Sequence, residues 1–337
     1  MRILITGGCG FLATNFIYYL LKTQPDVKII NIDKVSYYSN KLLTKDIPPQ
    51  YTFKKNNINN YKKIEEVFRQ FLPDTVINFA AETHVDRSFY TFEEFLRTNI
   101  KGTCNLFKLC VKYKIKKFVH ISTDEVFGEI VDKNIPTEMS KNFSPSNPYS
   151  ATKASAELLL SSLSKTFNYP LSIIRTNNNY GPYQFPEKLI PLTILLLSKN
   201  KKVPVYGDGK QKRRWIYVSD FCNGLRKIIQ TEENGVYHLA TKTELENIEV
   251  VKKICKLLNK SEKYIEFVQD RPSHDRSYAL DFSLTSKILN WEPRISFDEG
   301  IARTVNWYIK NYDWLNKTIS SKAYIKYLKI HYNIDLE

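Results

Sequence analysis

The chain has 337 residues, 42% hydrophobic and 25% charged, with 50 Lys and Arg against 35 Asp and Glu for a formal net charge of +15. At roughly 100–200 residues per domain that length suits two domains, and the composition excludes collagen-like, disordered and disulfide-scaffold classes. Five cysteines form no CxxC pair, the apolar run Leu189–Leu197 is about half a membrane span, and Arg2 leads straight into a β-like run, so a soluble, cytoplasmic protein with reduced thiols is expected.

The first half alternates strand and helix. Arg2–Thr6, Lys28–Ile32, Thr75–Phe79, Lys116–Ile121 and Leu171–Arg175 are short apolar runs. Helical patterns separate several of them, from Gly10 through Leu21, from about Glu93 to Lys114, and from Tyr149 onward. Short apolar strands between helices predict βαβ units and a parallel sheet covered on both faces. Beyond Asn178 come loops rich in Tyr, Pro and Gly, with helices near Leu189–Ser198, Asp220–Gln230 and Ile248–Leu258. The expectation is a doubly wound α/β domain over 1–177 and a smaller interleaved lobe over 178–330, with the segment around 215–240 returning to the first. The positive charge invites a nucleic-acid reading, but its clusters (Lys112–Lys117, Lys199–Lys202, Lys210–Arg214) are short and scattered, as on a solvated face.

Gly7-Gly8-Cys9-Gly10-Phe11-Leu12-Ala13 follows the first strand and opens a helix. Gly7 permits the tight turn, Gly10 lets the backbone approach a pyrophosphate, and the helix N-terminus favours phosphate charge. Asp33 ends the second strand at the spacing of an acid that bonds a ribose 2′-OH, which selects NAD over NADP; Lys34 beside it blurs that choice. Tyr149 and Lys153 form a YxxxK on a helix, so the ammonium is expected beside the phenol and, together with the positive nicotinamide of bound NAD, to lower its pKa. Ser122-Thr123-Asp124-Glu125 falls at the carboxyl end of a strand, where open α/β sheets bind ligands. Two adjacent acids do not both ionise readily, so one acid and one base stand together, as a β-elimination needs.

In the order of these motifs the chain resembles the extended short-chain dehydrogenases/reductases. Ala80-Ala81-Glu82-Thr83-His84-Val85-Asp86-Arg87-Ser88, Ser122 to Gly128, Asn178-Asn179-Tyr180-Gly181-Pro182, Phe185 to Pro191 and Asp270 to Asp275 resemble the nucleotide-glucose 4,6-dehydratases from Arg2 to about Trp314, and the Asp-Glu pair is the most specific element. The resemblance implies a Rossmann-like fold and a redox-neutral cycle. Tyr149, aided by Thr123 and Lys153, takes the proton of the C4 hydroxyl as hydride passes to NAD. Glu125 removes the C5 proton, Asp124 protonates the departing C6 hydroxyl, and the hydride returns to C6. It also implies that Gly7, Gly10, Phe11, Leu12, Asp33, Lys34, Ser36, Asn57, Ile58, Ala80, Ala81, Thr98, Tyr149, Lys153 and Asn179 line the NAD site. Thr83, Asn178, Lys188, Leu189, Pro204, Tyr206, Arg213, Asn247, Arg271 and His274 would hold the sugar nucleotide. A homodimer through a four-helix interface is implied as well, with no nucleic acid or membrane as partner.

Asn57, Ala13 and Ser273 stand where that family usually has Asp, Gly and Gly. His120 and His238 lie in apolar runs as core histidines, and no spacing suggests a metal. The base, uracil or thymine, is left open. So are a 4-epimerase on the same scaffold, a non-catalytic dinucleotide-binding protein and a nucleic-acid binder.

Overall fold

The computed structural model describes residues 1–44, 48–130, 134–332 and 334. Its strands are β1 (Arg2–Thr6), β2 (Lys28–Asp33), β3 (Tyr51–Lys55), β4 (Thr75–Asn78), β5 (Lys117–Ile121), β6 (Leu171–Thr176), β7 (Asn178–Tyr180), β8 (Val203–Tyr206), β9 (Lys212–Tyr217), β10 (Gly235–Leu239), β11 (Glu244–Glu246) and β12 (Ile265–Val268). Seven of them form one sheet in the order β10-β6-β5-β4-β1-β2-β3, with every neighbouring pair parallel. The order reverses between β1 and β4, which opens the ligand crevice of a doubly wound sheet at their carboxyl ends.

Both faces are covered, which is why the strands read as continuous apolar runs. On one face, α1 (Phe11–Thr23) and the later helix Val218–Gln230 bury Phe16, Leu20, Phe221 and Leu225. On the other, Ile64 and Phe68 of α2 (Tyr61–Phe71), Leu106 and Phe107 of α3 (Thr103–Lys112) and Leu160 of α4 (Pro148–Phe167) share a core. The remaining strands make small sheets, β11-β9-β7 and β12-β8, around a third core containing Leu195, Val250, Ile254 and Tyr308.

The helix expected from Glu93 to Lys114 is not uniform. An α-turn at Phe92–Phe95 passes into a π-helical stretch, Leu96–Gly102, before α3 begins. A Cβ at Gly102 would lie 2.5 Å from Ile58 Cδ1, so any side chain here would displace the end of Ile58. The widened turn also carries Asn99, whose amide pairs with both backbone groups of Glu82.

Gly7 closes the turn after β1 at φ 71°, and a Cβ there would sit 2.6 Å from the Ala80 nitrogen. Gly7→Ala adds left-handed strain to a backbone clash and should cost on the order of 2–4 kcal/mol in urea unfolding. A loss under about 1 kcal/mol would show that the turn relaxes and that the β1–β4 crevice is not fixed by this contact.

Candidate active site

The turn at Gly7 leads into α1, whose N-cap, Gly10, bonds back to the Gly7 carbonyl at 2.9 Å. No side chain caps this end, so the first-turn backbone of Phe11 and Leu12 lines the crevice with its amide dipoles. Asp33, at the end of β2, is buried; one oxygen accepts from the Cys9 amide at 3.0 Å and the other from Val35 at 2.7 Å. Burial raises its pKa against those hydrogen bonds. This acid therefore shapes the glycine loop as well as facing the cavity. The Lys34 ammonium pairs with buried Glu82, which also accepts from Tyr38 and Arg87, while its charge still acts on Asp33. A glycine turn tight against Ala80, an uncapped helix start and a strand-end acid fit a dinucleotide.

The candidate proton-transfer groups meet at the end of β5. The Thr123 hydroxyl caps the short 3-10 turn Asp124–Phe127 through the Glu125 amide at 3.3 Å. Asp124 is buried, accepts from Asn177 Nδ2 at 2.8 Å and from Thr123 Oγ1 at 3.2 Å, and is pushed up to about 7. Burial is the main cause, followed by the neighbouring Glu125, while the Asn177 amide and Arg213 oppose them. For Asp124, desolvation outweighs the repulsion from its neighbour. Asn147 joins this loop to α4, its Oδ1 capping the helix through Ser150 N at 2.9 Å and its Nδ2 reaching Glu125 Oε2 at 3.4 Å.

Tyr149, in the first turn of α4, is buried beside Thr123, Glu125 and Asp124. Burial and the two carboxyls push its phenol up, against the Thr123 hydroxyl. The expectation of a lowered phenol rests on Lys153 and the nicotinamide charge of bound NAD together, and Lys153 does not supply its share through spacing. The Lys153 ammonium is turned to the Ile121 carbonyl at 2.6 Å, and helical spacing alone does not lower the phenol. Lys153 itself is pushed down to about 8 by burial, with Glu157 opposing.

The crevice continues into the second lobe as one cavity of about 440 Å³, and every site residue named from the sequence lines it. Their polar groups are already organised. Arg213 Nη2 donates to the Asp275 carbonyl at 2.9 Å, and its guanidinium stacks 4.4 Å from the Tyr278 ring centre. Arg271 pairs with Asp86 at 3.2 Å, Tyr206 donates to the same carboxylate at 3.1 Å, and Lys188 reaches the Thr83 carbonyl at 3.1 Å. His274 Nδ1 lies 2.6 Å from Asp270, and burial followed by Arg271 pushes it down to about 4. Ser273 holds φ 51°, a left-handed conformation that explains a glycine's usual place there. Asn57 lines the cavity while accepting from the Asn59 amide at 2.9 Å.

Asn147, Asn177, Tyr278 and Tyr332 went unassigned in the sequence. Asn177 had a visible signal, as the first of three consecutive asparagines at a strand end. Tyr332 had none, because only the fold brings the C-terminal helix Lys322–Tyr332 to the cavity. Among the described residues no group of His, Cys, Asp and Glu could hold a metal ion, and no helix is long and apolar enough to cross a membrane.

The GDP-mannose 4,6 dehydratase family model matches residues 4–304. A dTDP-glucose 4,6-dehydratase of Salmonella typhimurium is 38% identical over 98% of this chain and 99% of its own. A crystal structure of a dTDP-glucose 4,6-dehydratase from Streptomyces venezuelae with NAD bound superposes with TM-score 0.90 at 36% identity, covering 94% of this chain and 100% of that one. A UDP-glucose 4-epimerase from Thermotoga maritima shares the fold at TM-score 0.86 but only 25% identity, over 93% and 100% of the two chains. With the glycine turn, the strand-end acids and the YxxxK helix in one crevice, the chain belongs to the nucleotide-sugar 4,6-dehydratases of the extended short-chain dehydrogenase/reductase family.

Proposed function

We propose that the chain is a hydro-lyase that converts dTDP-glucose to its 4-keto-6-deoxy sugar without net redox change. The observation that carries the reading is the meeting of Tyr149 with two adjacent carboxyls at the end of β5, one of them buried and raised. NAD, when bound along the glycine turn, accepts the two electrons of C4 oxidation and returns them at C6. The chain supplies the proton transfers. Thr123 orients the C4 hydroxyl and Tyr149 takes its proton, with the Lys153 ammonium turning from the Ile121 carbonyl to stabilise the phenolate. Glu125 removes the C5 proton, acidified by the new ketone. Asp124, held as an acid by burial, protonates the C6 hydroxyl as it leaves as water. An epimerase needs neither of the last two transfers.

The lobe over 1–177 holds the cofactor and the lobe over 178–330 the sugar nucleotide. Arg213 and Arg271 face the diphosphate, a group that a guanidinium binds bidentately, and Tyr206 faces the base. A homodimer is supported by exposed apolar side chains on two neighbouring helical segments: Phe92 and Leu96 on one, Leu158, Leu159 and Phe167 on α4.

Incubating the purified protein in D2O with dTDP-glucose and, separately, UDP-glucose should give loss of one water with deuterium at C5, faster with the thymine nucleotide. The single methyl is worth about 1–3 kcal/mol in a pocket, so a faster uridine substrate would reassign the base, and no reaction of either would remove the dehydratase reading. Glu125→Gln should lose C5 exchange while C4 oxidation persists, and full dehydration by this variant would exclude Glu125 as the base. Asp124→Asn should slow water loss more than NADH formation; equal slowing would count against Asp124 as the acid.

Asp124 also predicts a stability signature. Its folded pKa is raised from 3.8 to about 7, so relative to the unfolded chain the native state loses stability as pH climbs from about 4 to about 7, at up to about 1.4 kcal/mol per unit. Asp124→Asn removes that loss. Its Tm relative to the parent should therefore rise across this window and level off above it, and a flat difference would place the carboxyl in water.

A further inference from the structure

His120 is fully buried near the carboxyl end of β5, yet it is more than core filling. Its Nε2 lies 3.3 Å from Lys153 Nζ and its Nδ1 3.3 Å from the Asn78 amide nitrogen. Asn78 in turn meets Thr103 Oγ1 at 3.0 Å and Thr6 Oγ1 at 2.7 Å. The whole chain of polar groups is buried.

We infer that His120 is a positioning residue that lets Lys153 carry either charge while buried, by exchanging the ring nitrogen that holds its proton. A charged lysine has donors only, so Nε2 must then be bare and Nδ1 protonated. Asn78 meets that tautomer with its amide oxygen. When Lys153 is neutral, Nε2–H donates to the amine, and Nδ1 accepts from the Asn78 amide nitrogen, the orientation present in the structure. Both orientations of the amide are satisfied, because each threonine hydroxyl can donate or accept. Without such a partner, a change of charge on Lys153 would strand a buried donor or acceptor.

The inference rests on the roles proposed for Tyr149 and Lys153. Burial and the Lys153 ammonium hold the imidazole well below its ordinary range, so the ring exchanges tautomers without gaining charge. Lys153 faces His120 from β5, and Tyr149 and Glu157 one turn away on its own helix. Glu157 is itself paired with Arg175 of β6 at 2.8 Å. The acids Asp124 and Glu125 face Tyr149 from the turn after β5.

The test is ¹⁵N-histidine NMR of the full chain, with His120 of the five histidines assigned from His120→Gln. The ring should change from the Nδ1–H to the Nε2–H tautomer as pH rises, with a midpoint near that of Lys153, about 8, and the change should vanish in Lys153→Met. One tautomer across the whole range, or an unaltered transition in Lys153→Met, overturns the inference without touching the dehydratase reading. Activity gives a second readout. His120→Leu offers the ammonium no acceptor, so the acid limb of the kcat profile should move up by about one pH unit. His120→Gln can present oxygen or nitrogen and should stay within about 0.3 unit. Equal shifts in the two variants would mean lost packing, and no shift in either would mean no role for the imidazole; both overturn the inference.

Discussion

Asp124 is removed from water at the end of a central parallel strand while Asn177 and Thr123 still offer it hydrogen bonds, and the arrangement of the site follows from that balance. A carboxyl more fully supplied with donors would ionise at neutral pH and could not act as an acid, and one with none would be too costly to bury. Each donor has a second task. Asn177 accepts from the Thr241 amide at 3.1 Å and so ties the end of β6 to the segment after β10, while Thr123 caps the turn that carries both acids. The sheet thus fixes the local environment of a single proton.

Further support comes from side chains that no substrate would reach. Ser122, just before the acids, donates to Glu157 on α4 at 2.5 Å, and Glu157 is held by Arg175 from β6. Strand, loop and helix are locked at the register that places Tyr149 over Thr123. A buried pair of this kind is weak evidence for stability but strong evidence for a fixed geometry at the hypothesised site. The same economy holds at the second lobe, where Arg213, Arg271 and Lys188 already have carbonyl or carboxylate partners. They are oriented before any anion arrives, which lowers the ordering cost of binding one.

The sequence by itself determined the parallel sheet, through apolar runs at βαβ spacing, and the glycine turn, since only a residue without Cβ fits against Ala80. It brought Thr123, Asp124, Glu125, Tyr149 and Lys153 forward as candidates, and they line one cavity because those groups sit at element ends that motif order can place. Tertiary structure decided their electrostatics. The Tyr149 phenol is raised, since burial and Glu125 are properties of packing while Lys153 is claimed by a carbonyl on a strand. It likewise decided that His120 touches Lys153, that Lys34 belongs to Glu82, and that Tyr332 reaches the cavity. Each of these contacts joins residues more than 30 positions apart, and desolvation depends on what surrounds a group in space. Neither can be read from local spacing.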